Sequence, residues 1–261
     1  MKRTRISPNL ADFPAAFHPL LEKFPVFDSS CSKEAKVWFV DGDGGFYLKA
    51  SPSGSLKTEA DMTRYFHSKG LGAEVLGYVS EERDWLLTRA IPGEDCVFPK
   101  YMDDPKRLCD TLAPLLRQLH ETDYTGCPVP NRCDTYRAKA ERSYRSGYCE
   151  LDLFPKMDWG FSSMEEAWQT VQANANDLKN DTLLHGDYCL PNILMADCKV
   201  SGFIDRDCSG VGDKHFDIFW GVWTLFFNLK TNAYYDRFLD AYGRDTVEPE
   251  LLRTVAALEV F

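Results

Sequence analysis

Residues 185–207 read HGDYCLPNILMADCKVSGFIDRD. Two short apolar runs, 193–195 and 200–204, flank the polar stretch 196–199, a pattern that predicts a hairpin. A turn centred near Cys198 and Lys199 sets Asn192 opposite Asp205 at the open end. An amide oxygen and a carboxylate there form a hard-oxygen pair suited to Mg²⁺, which takes one or two protein oxygens and completes its shell with water and substrate phosphates. Asp187, on the loop feeding the first strand, stands where a carboxylate can accept the proton of an attacking hydroxyl. Each of these residues alone is an ordinary turn or strand-end residue. Asp, then Asn five positions on, then a hairpin and a second Asp is the arrangement of kinase catalytic loops.

Such chemistry also needs a lysine on a strand, held by a helix glutamate. Residues 37–50, VWFVDGDGGFYLKA, place two apolar runs around a glycine-rich turn and predict another hairpin, with Lys49 near its end. Residues 56–69 predict a helix ending at Gly70, and Glu59 lies on it. Two further strands are expected, one over 74–78 and one over 85–88. No G-x-G-x-x-G precedes Lys49. The phosphate-approaching loop is therefore either the glycines at 42, 44 and 45 or the segment Ser29–Lys33, with Ser30 and Ser32. Register relative to the strand favours the serine segment.

Ile91-Pro92-Gly93-Glu94 breaks this pattern and reads as a linker. Beyond it helices are expected over 105–121, 135–147, 163–178, 214–230, 234–242 and 249–258. The expected fold is α+β, a bilobal protein-kinase-like fold with a sheet-rich N-lobe (1–90), nucleotide-binding, and a helical C-lobe (91–261), carrying the catalytic loop and the acceptor site.

The chain has 261 residues, 44% apolar and 13% aromatic, enough for a sizeable core. A formal net charge of −10 argues against nucleic acid as a partner and is compatible with a cationic ligand. Nine cysteines without a C-x-x-C pair suggest reduced thiols rather than a disulfide framework or a zinc site. No secretory h-region and no apolar run long enough for a membrane span is found, so a cytoplasmic location is expected.

HGDYCLPN followed by GFIDRDCSGVGDKHFDI resembles the aminoglycoside 3′-phosphotransferase family, whose pattern is HGD-x4-N, a hairpin, then G-x-ID-x-G-x-x-G-x-x-D-x-x-x-D. FYLK, LLTRAIPGE, LRQLHETDYTGCP and the final LEVF extend the resemblance over nearly the whole chain. It implies a small-molecule kinase of protein-kinase-like fold that moves the γ-phosphate of ATP (or GTP) to an aminoglycoside hydroxyl and so confers resistance. By that resemblance Asp187 is the catalytic base, Asn192 and Asp205 hold Mg²⁺, Lys49 contacts phosphates with Glu59 as its partner, and Thr88, Arg89, Ala90 and Ile91 meet the adenine. His185 and Asp217 hold the loop. For a cationic acceptor it implies Glu259 and the Phe261 α-carboxylate, with Glu150, Asp152 and Asp158 as further acids. Two positions depart from the pattern: Asp207 stands where glycine is usual, and Leu258 where an acid is common. Alternatives are a kinase of the same fold for a macrolide, an amino sugar or a choline-like alcohol, and a non-catalytic nucleotide-binding protein. Glu259, Asp158 and the C-terminal carboxylate converging on the acceptor site would favour a polyamine sugar; aromatics at 219–227 lining it instead would favour a less charged acceptor.

Overall fold

Period-two alternation builds the first sheet. In the strand Phe46–Pro52, Phe46, Leu48 and Ala50 are buried on one face, and Lys49 is turned to the other. The computed structural model describes residues 3–31, 35–154, 159–197 and 199–261. In chain order its elements are β1 (Thr4–Ile6), α1 (His18–Lys23), β2 (Val26–Asp28), β3 (Lys36–Val40), β4 (Phe46–Pro52), α2 (Lys57–Ser68), β5 (Val75–Ser80), β6 (Arg83–Arg89) and β7 (Glu94–Asp95). There follow α3 (Pro99–Met102), α4 (Pro105–His120), α5 (Arg132–Ser146), α6 (Met164–Asn174) and β8 (Thr182–Leu184). The rest are β9 (Ile193–Ala196), β10 (Lys199–Phe203), β11 (Gly210–Gly212), α7 (His215–Leu229), α8 (Tyr235–Tyr242) and α9 (Pro249–Glu259).

Two compact units result. The first comprises residues 1–96 and 191–207, the second 97–190 and 208–261. A single cut near residue 90 is therefore not how the contacts fall. The expected linker is part of the reason. Glu94 and Asp95 form β7, which pairs with β9, and the Cys96 N–H donates to the Ile193 carbonyl at 3.1 Å. Gly93 makes the approach possible: its φ is +107°, and a Cβ there would lie 2.2 Å from the Met195 oxygen.

The first unit holds a six-stranded antiparallel sheet in the order β1-β2-β3-β4-β6-β5. Val40, Phe46, Leu48, Ala50, Trp85 and Leu87 bury one face under Phe13, Phe17 and Leu21 of the N-terminal segment. The opposite face receives α2, with Leu56, Ala60 and Leu86 in contact. Asp84, fully buried, fixes the start of α2: its carboxylate accepts from the Leu56 N–H (2.9 Å), Tyr78 OH (2.9 Å) and Ser80 OH (2.6 Å). Burial would raise its pKa, but these donors outweigh it and hold the group below the usual range.

The hairpin β9–β10 forms as expected, but one residue off the expected register. Met195 faces Val200 and Ile193 faces Phe203, with a bulge at Ser201. The Ile204 N–H donates to the Asn192 carbonyl at 3.0 Å, so Asn192 faces Ile204 and Asp205 lies one step beyond.

In the second unit α4 packs on α7 and α8, and α9 on α5, α6 and α7. β8 and β11 pair antiparallel, Leu184 opposite Gly210, which carries His185 to Ser209. Cys96, in the first unit, and Cys109 and Cys133, in the second, are buried thiols that burial pushes up to about 12, where they are inert at neutral pH. Among the described residues no helix is long and apolar enough to cross a membrane.

Candidate active site

Alternation along β4 turns Lys49 toward α2, opposite Leu86 of β6. On α2 the buried residues Glu59, Ala60, Met62, Thr63 and Phe66 share one stripe. Glu59 thus meets Lys49: Nζ donates to Glu59 Oε2 at 2.8 Å and to Asp205 Oδ1 at 2.7 Å. Burial alone would depress the Lys49 pKa. The two carboxylates override it, and the pKa stands above that of an ordinary lysine, so the ammonium stays charged. Glu59 is buried, and that desolvation, opposed by Lys49, pushes its carboxyl up. The side chain of Asp205 is 50% exposed, so it can engage a second cation. Its φ of +61° is a left-handed conformation uncommon outside glycine and asparagine, a local strain of about 1–2 kcal/mol.

These groups close one end of a cavity of about 320 Å³ in the first unit. Val37, Ala73, Leu86, Ile91, Leu194 and Phe203 line its apolar part, while Lys49, Glu59, Asn192 and Asp205 are its polar end. An apolar lining with a cation and oxygens beside it suits a ligand with an apolar ring and an anionic group. The donor set of Asn192 and Asp205 is oxygen only, with no thiol or imidazole, which fits Mg²⁺ held jointly with phosphates.

Thr88, Arg89 and Ile91 line the same cavity. Ala90 is not among the lining residues, and its N–H donates to the Gly45 carbonyl at 2.9 Å. Ser30 is likewise turned to a backbone task, its hydroxyl accepting from the Val37 N–H at 3.0 Å. The cavity is lined instead by the neighbours Ser29 and Cys31. Both lie in the expected segment 29–33, but Ser30 rather than its neighbours was singled out, because alternation about Ser30 shows in the sequence only once its pairing partner is known. Ser32 lies outside the described residues. The glycines at 42–45 close a tight turn, Gly45 N–H to Gly42 carbonyl at 2.8 Å, away from the cavity lining.

The HGD loop belongs to the second unit and is held by its backbone. Buried Asp217 accepts the His185 N–H on Oδ2 and the Gly186 N–H on Oδ1, both at 2.7 Å, and His120 Nε2 lies 3.2 Å from Oδ2. Ser209 OH donates to the His185 carbonyl at 2.6 Å. The Asp187 N–H donates to His185 Nδ1 at 3.2 Å, which places the imidazole proton on Nε2. Gly186 has φ +85°, and a Cβ there would lie 2.0 Å from the Cys208 oxygen. The loop thus presents a half-buried Asp187 carboxylate on a backbone fixed at several points.

Of the acids expected to meet an acceptor, Glu259 is half-buried, its Oε1 accepting from the Trp220 indole N–H at 3.0 Å. Burial pushes its carboxyl up to about 7; Lys139 and the indole N–H oppose that shift, and Asp187 adds to it. Glu150 is exposed and bonded to Tyr148 OH, and its N–H donates to the Val260 carbonyl at 2.7 Å, close to the chain end. Asp152 is exposed on a short 3₁₀ turn. Asp158 lies outside the described residues. The Phe261 ring is buried edge-on against Tyr144 and Trp168, and its backbone oxygen accepts from Ser143 OH at 2.5 Å. Phe261 is thus buried, ring and backbone alike, and the structure does not bring it out to meet a ligand as the resemblance implied.

A strand lysine paired with a helix glutamate and a hairpin aspartate, together with an HGD loop, defines a phosphotransferase of kinase-like fold. The chain belongs to the phosphotransferase enzyme family, whose model matches residues 28–254. It is 45% identical to a probable aminoglycoside 3′-phosphotransferase of Lactococcus lactis subsp. lactis, over 100% of this chain and 98% of that protein. It is 28% identical to the aminoglycoside 3′-phosphotransferase of Streptomyces fradiae, over 79% of each. Among solved structures, an aminoglycoside-3′-phosphotransferase of type VIII superposes with a TM-score of 0.70 at 25% identity, covering 89% of this chain and 90% of that one.

Proposed function

We propose that this protein transfers the γ-phosphate of ATP, or of GTP, to a hydroxyl of an aminoglycoside, of the 3′ type, and thereby inactivates the antibiotic. The observation that carries this reading is the Lys49 ammonium shared between Glu59 and Asp205 at the polar end of an apolar cavity. The names of the relatives matched over most of their length support the acceptor class.

In this reading the apolar part of the cavity takes the purine, with Thr88, Arg89 and Ile91 along its edge. Lys49 binds the α- and β-phosphates, and Glu59 keeps the ammonium aimed. Asn192 and Asp205 hold Mg²⁺, which when bound neutralises charge on the phosphate oxygens. Asp187 orients the acceptor hydroxyl and takes its proton as the acceptor oxygen bonds to the γ-phosphorus and the bond to the ADP oxygen breaks. Glu259, Glu150, Asp152 and Asp158 receive ammonium groups of the acceptor. The protein works in the cytoplasm, where ATP is available and thiols stay reduced.

A second reading, a kinase of the same family for a less charged alcohol, has one observation in its favour: aromatic residues of α7 are partly exposed beside Glu259. A coupled ADP-release assay with Mg²⁺-ATP against aminoglycosides, macrolides and small amino alcohols tests both. The aminoglycoside reading requires turnover with an aminoglycoside and its loss by at least about 10²-fold in Asp187→Asn, nucleotide binding retained. Turnover only with a macrolide or choline-like alcohol would replace it.

A further inference from the structure

Along α7, Trp220, Trp223 and Phe227 recur at helical spacing and form a continuous strip. The Trp220 and Trp223 rings meet edge-on with centroids 5.2 Å apart, and Trp223 and Phe227 are stacked at 4.8 Å and 15°. The strip grades outward: Trp220 and Trp223 are partly buried, and Phe227 is 49% exposed. A core helix does not ordinarily expose a stacked phenyl. At the inner end the Trp220 indole N–H holds Glu259, and Asp187 is close enough to act on that carboxylate. At the outer end the Lys230 ammonium lies 4.1 Å from the Phe227 ring centroid.

We propose that this strip is the wall of the acceptor site and that Trp220 is its positioning residue, holding Glu259 to receive an ammonium while Trp223 and Phe227 take an apolar face of the sugar. The proposal rests on the functional reading above and adds an orientation. The acceptor's positive end lies at Glu259, beside the base, because Lys230 repels a cation at the Phe227 end. Sugar rings carry C–H faces that pack on indole and phenyl rings, and an adjacent ammonium gains from the ring faces as well. Phe154 and Phe219 back Trp220 edge-on, so its indole is held in place to make the Glu259 bond.

The indole bond has a measurable consequence. An indole N–H favours the ionised form of the carboxylate it bonds. The charged or titratable groups that act on Glu259 are Lys139 and Tyr136 of α5 and Asp187 of the loop. None of them is altered by changing Trp220. The acceptor KM should therefore fall as pH rises through about 7, where Glu259 ionises. Removing the indole donor should move that limb to higher pH.

The test is steady-state kinetics with Mg²⁺-ATP and kanamycin as acceptor, from pH 6 to 9. In Trp220→Phe the limb of acceptor KM is expected to move up by about 0.5–1 pH unit, with the KM for ATP unchanged. In Glu259→Gln the limb is expected to vanish. In Phe227→Ala the KM for kanamycin is expected to rise about 5–10-fold at every pH with the limb in place. Titration of the kanamycin amines is common to all variants and cancels in the comparison. A limb at the same pH in Trp220→Phe as in the parent overturns the positioning role. If that variant does not fold, a Glu259→Gln limb identical to the parent's overturns it equally. A Phe227→Ala KM within twofold of the parent overturns the wall. Absence of kanamycin turnover in the parent protein refutes the functional reading itself, and the wall with it.

Discussion

Lys49 and Asp205, 156 residues apart in sequence, meet at 2.7 Å, and the same ammonium holds Glu59 at 2.8 Å. One cation thus ties the central strand, the helix above it and the end of the β9–β10 hairpin. Whatever engages Lys49 also acts on Asp205, so in the function proposed above nucleotide binding and the arrangement of the Asp205 carboxylate are coupled.

Lys49→Met should lower kcat/KM for ATP by on the order of 10²–10³-fold, the usual loss when a charge-stabilising donor is removed. It should also make stability pH-dependent in a defined sense. Without the ammonium, buried Glu59 keeps its desolvation but loses the charge that opposes it, so its folded pKa rises further above the unfolded value. A carboxyl with a raised folded pKa stabilises at low pH, and that contribution is lost as pH rises through the folded value. The Tm deficit relative to the parent protein should therefore be larger at pH 8 than at pH 5.5, and an equal deficit at both would contradict the assignment.

Asp205→Asn keeps the backbone, because asparagine tolerates the left-handed conformation seen at φ +61°. It removes the charge that a divalent cation needs. The Mg²⁺ concentration for half-maximal activity should rise by at least about tenfold, with Tm little changed. Chelation of Mg²⁺ should abolish turnover in both proteins. Unchanged Mg²⁺ dependence would remove Asp205 from the metal site.

The hairpin 193–203 and the Lys49–Glu59 pair were legible in the sequence because their signals are local: apolar runs around a polar turn, a lysine on a strand, a glutamate on the next helix. Register was legible only to within one residue. A bulge at Ser201 shifts the pairing, so Asn192 faces Ile204 and not Asp205. Strands β1, β2, β7, β8 and β11 have two or three residues each. They are too short to show a period, and they exist because a partner strand offers its hydrogen bonds. The segment 91–94 read as a linker for the same reason, since proline and glycine mark a break without saying what lies beside it. The aromatic run 214–230 was legible as a helix, and its aromatics as a candidate lining of the acceptor site. Which of them meets an acid was not legible, because the Trp220–Glu259 bond joins residues 39 apart.

Gly186→Ala adds one methyl group to the loop. At φ +85° the alanine costs about 1–2 kcal/mol, and its Cβ would stand 2.0 Å from the Cys208 oxygen, so the loop must move. Phosphoryl transfer should fall by at least about 10²-fold, because an Asp187 displaced by an ångström no longer meets the hydroxyl. ATP binding, measured by thermal shift, should survive. Retained transfer would show that the loop conformation is not needed for chemistry.

Asp217→Asn separates holding the loop from acting in it. Each Asp217 oxygen accepts one backbone N–H of the loop, from His185 and from Gly186. An asparagine has one oxygen, and its NH₂ would face a second N–H in a site with no solvent to compensate. Losing one bond to a charged acceptor costs about 2 kcal/mol, which at this chain length lowers Tm by about 4–8 °C. Asp187→Asn should leave Tm within about 2 °C of the parent protein, because it substitutes a half-buried side chain isosterically, yet lose transfer by about 10²–10⁴-fold. Differential scanning calorimetry together with the ADP-release assay distinguishes the two. The roles assigned here fail if Asp217→Asn keeps the parent Tm, or if Asp187→Asn keeps the parent rate.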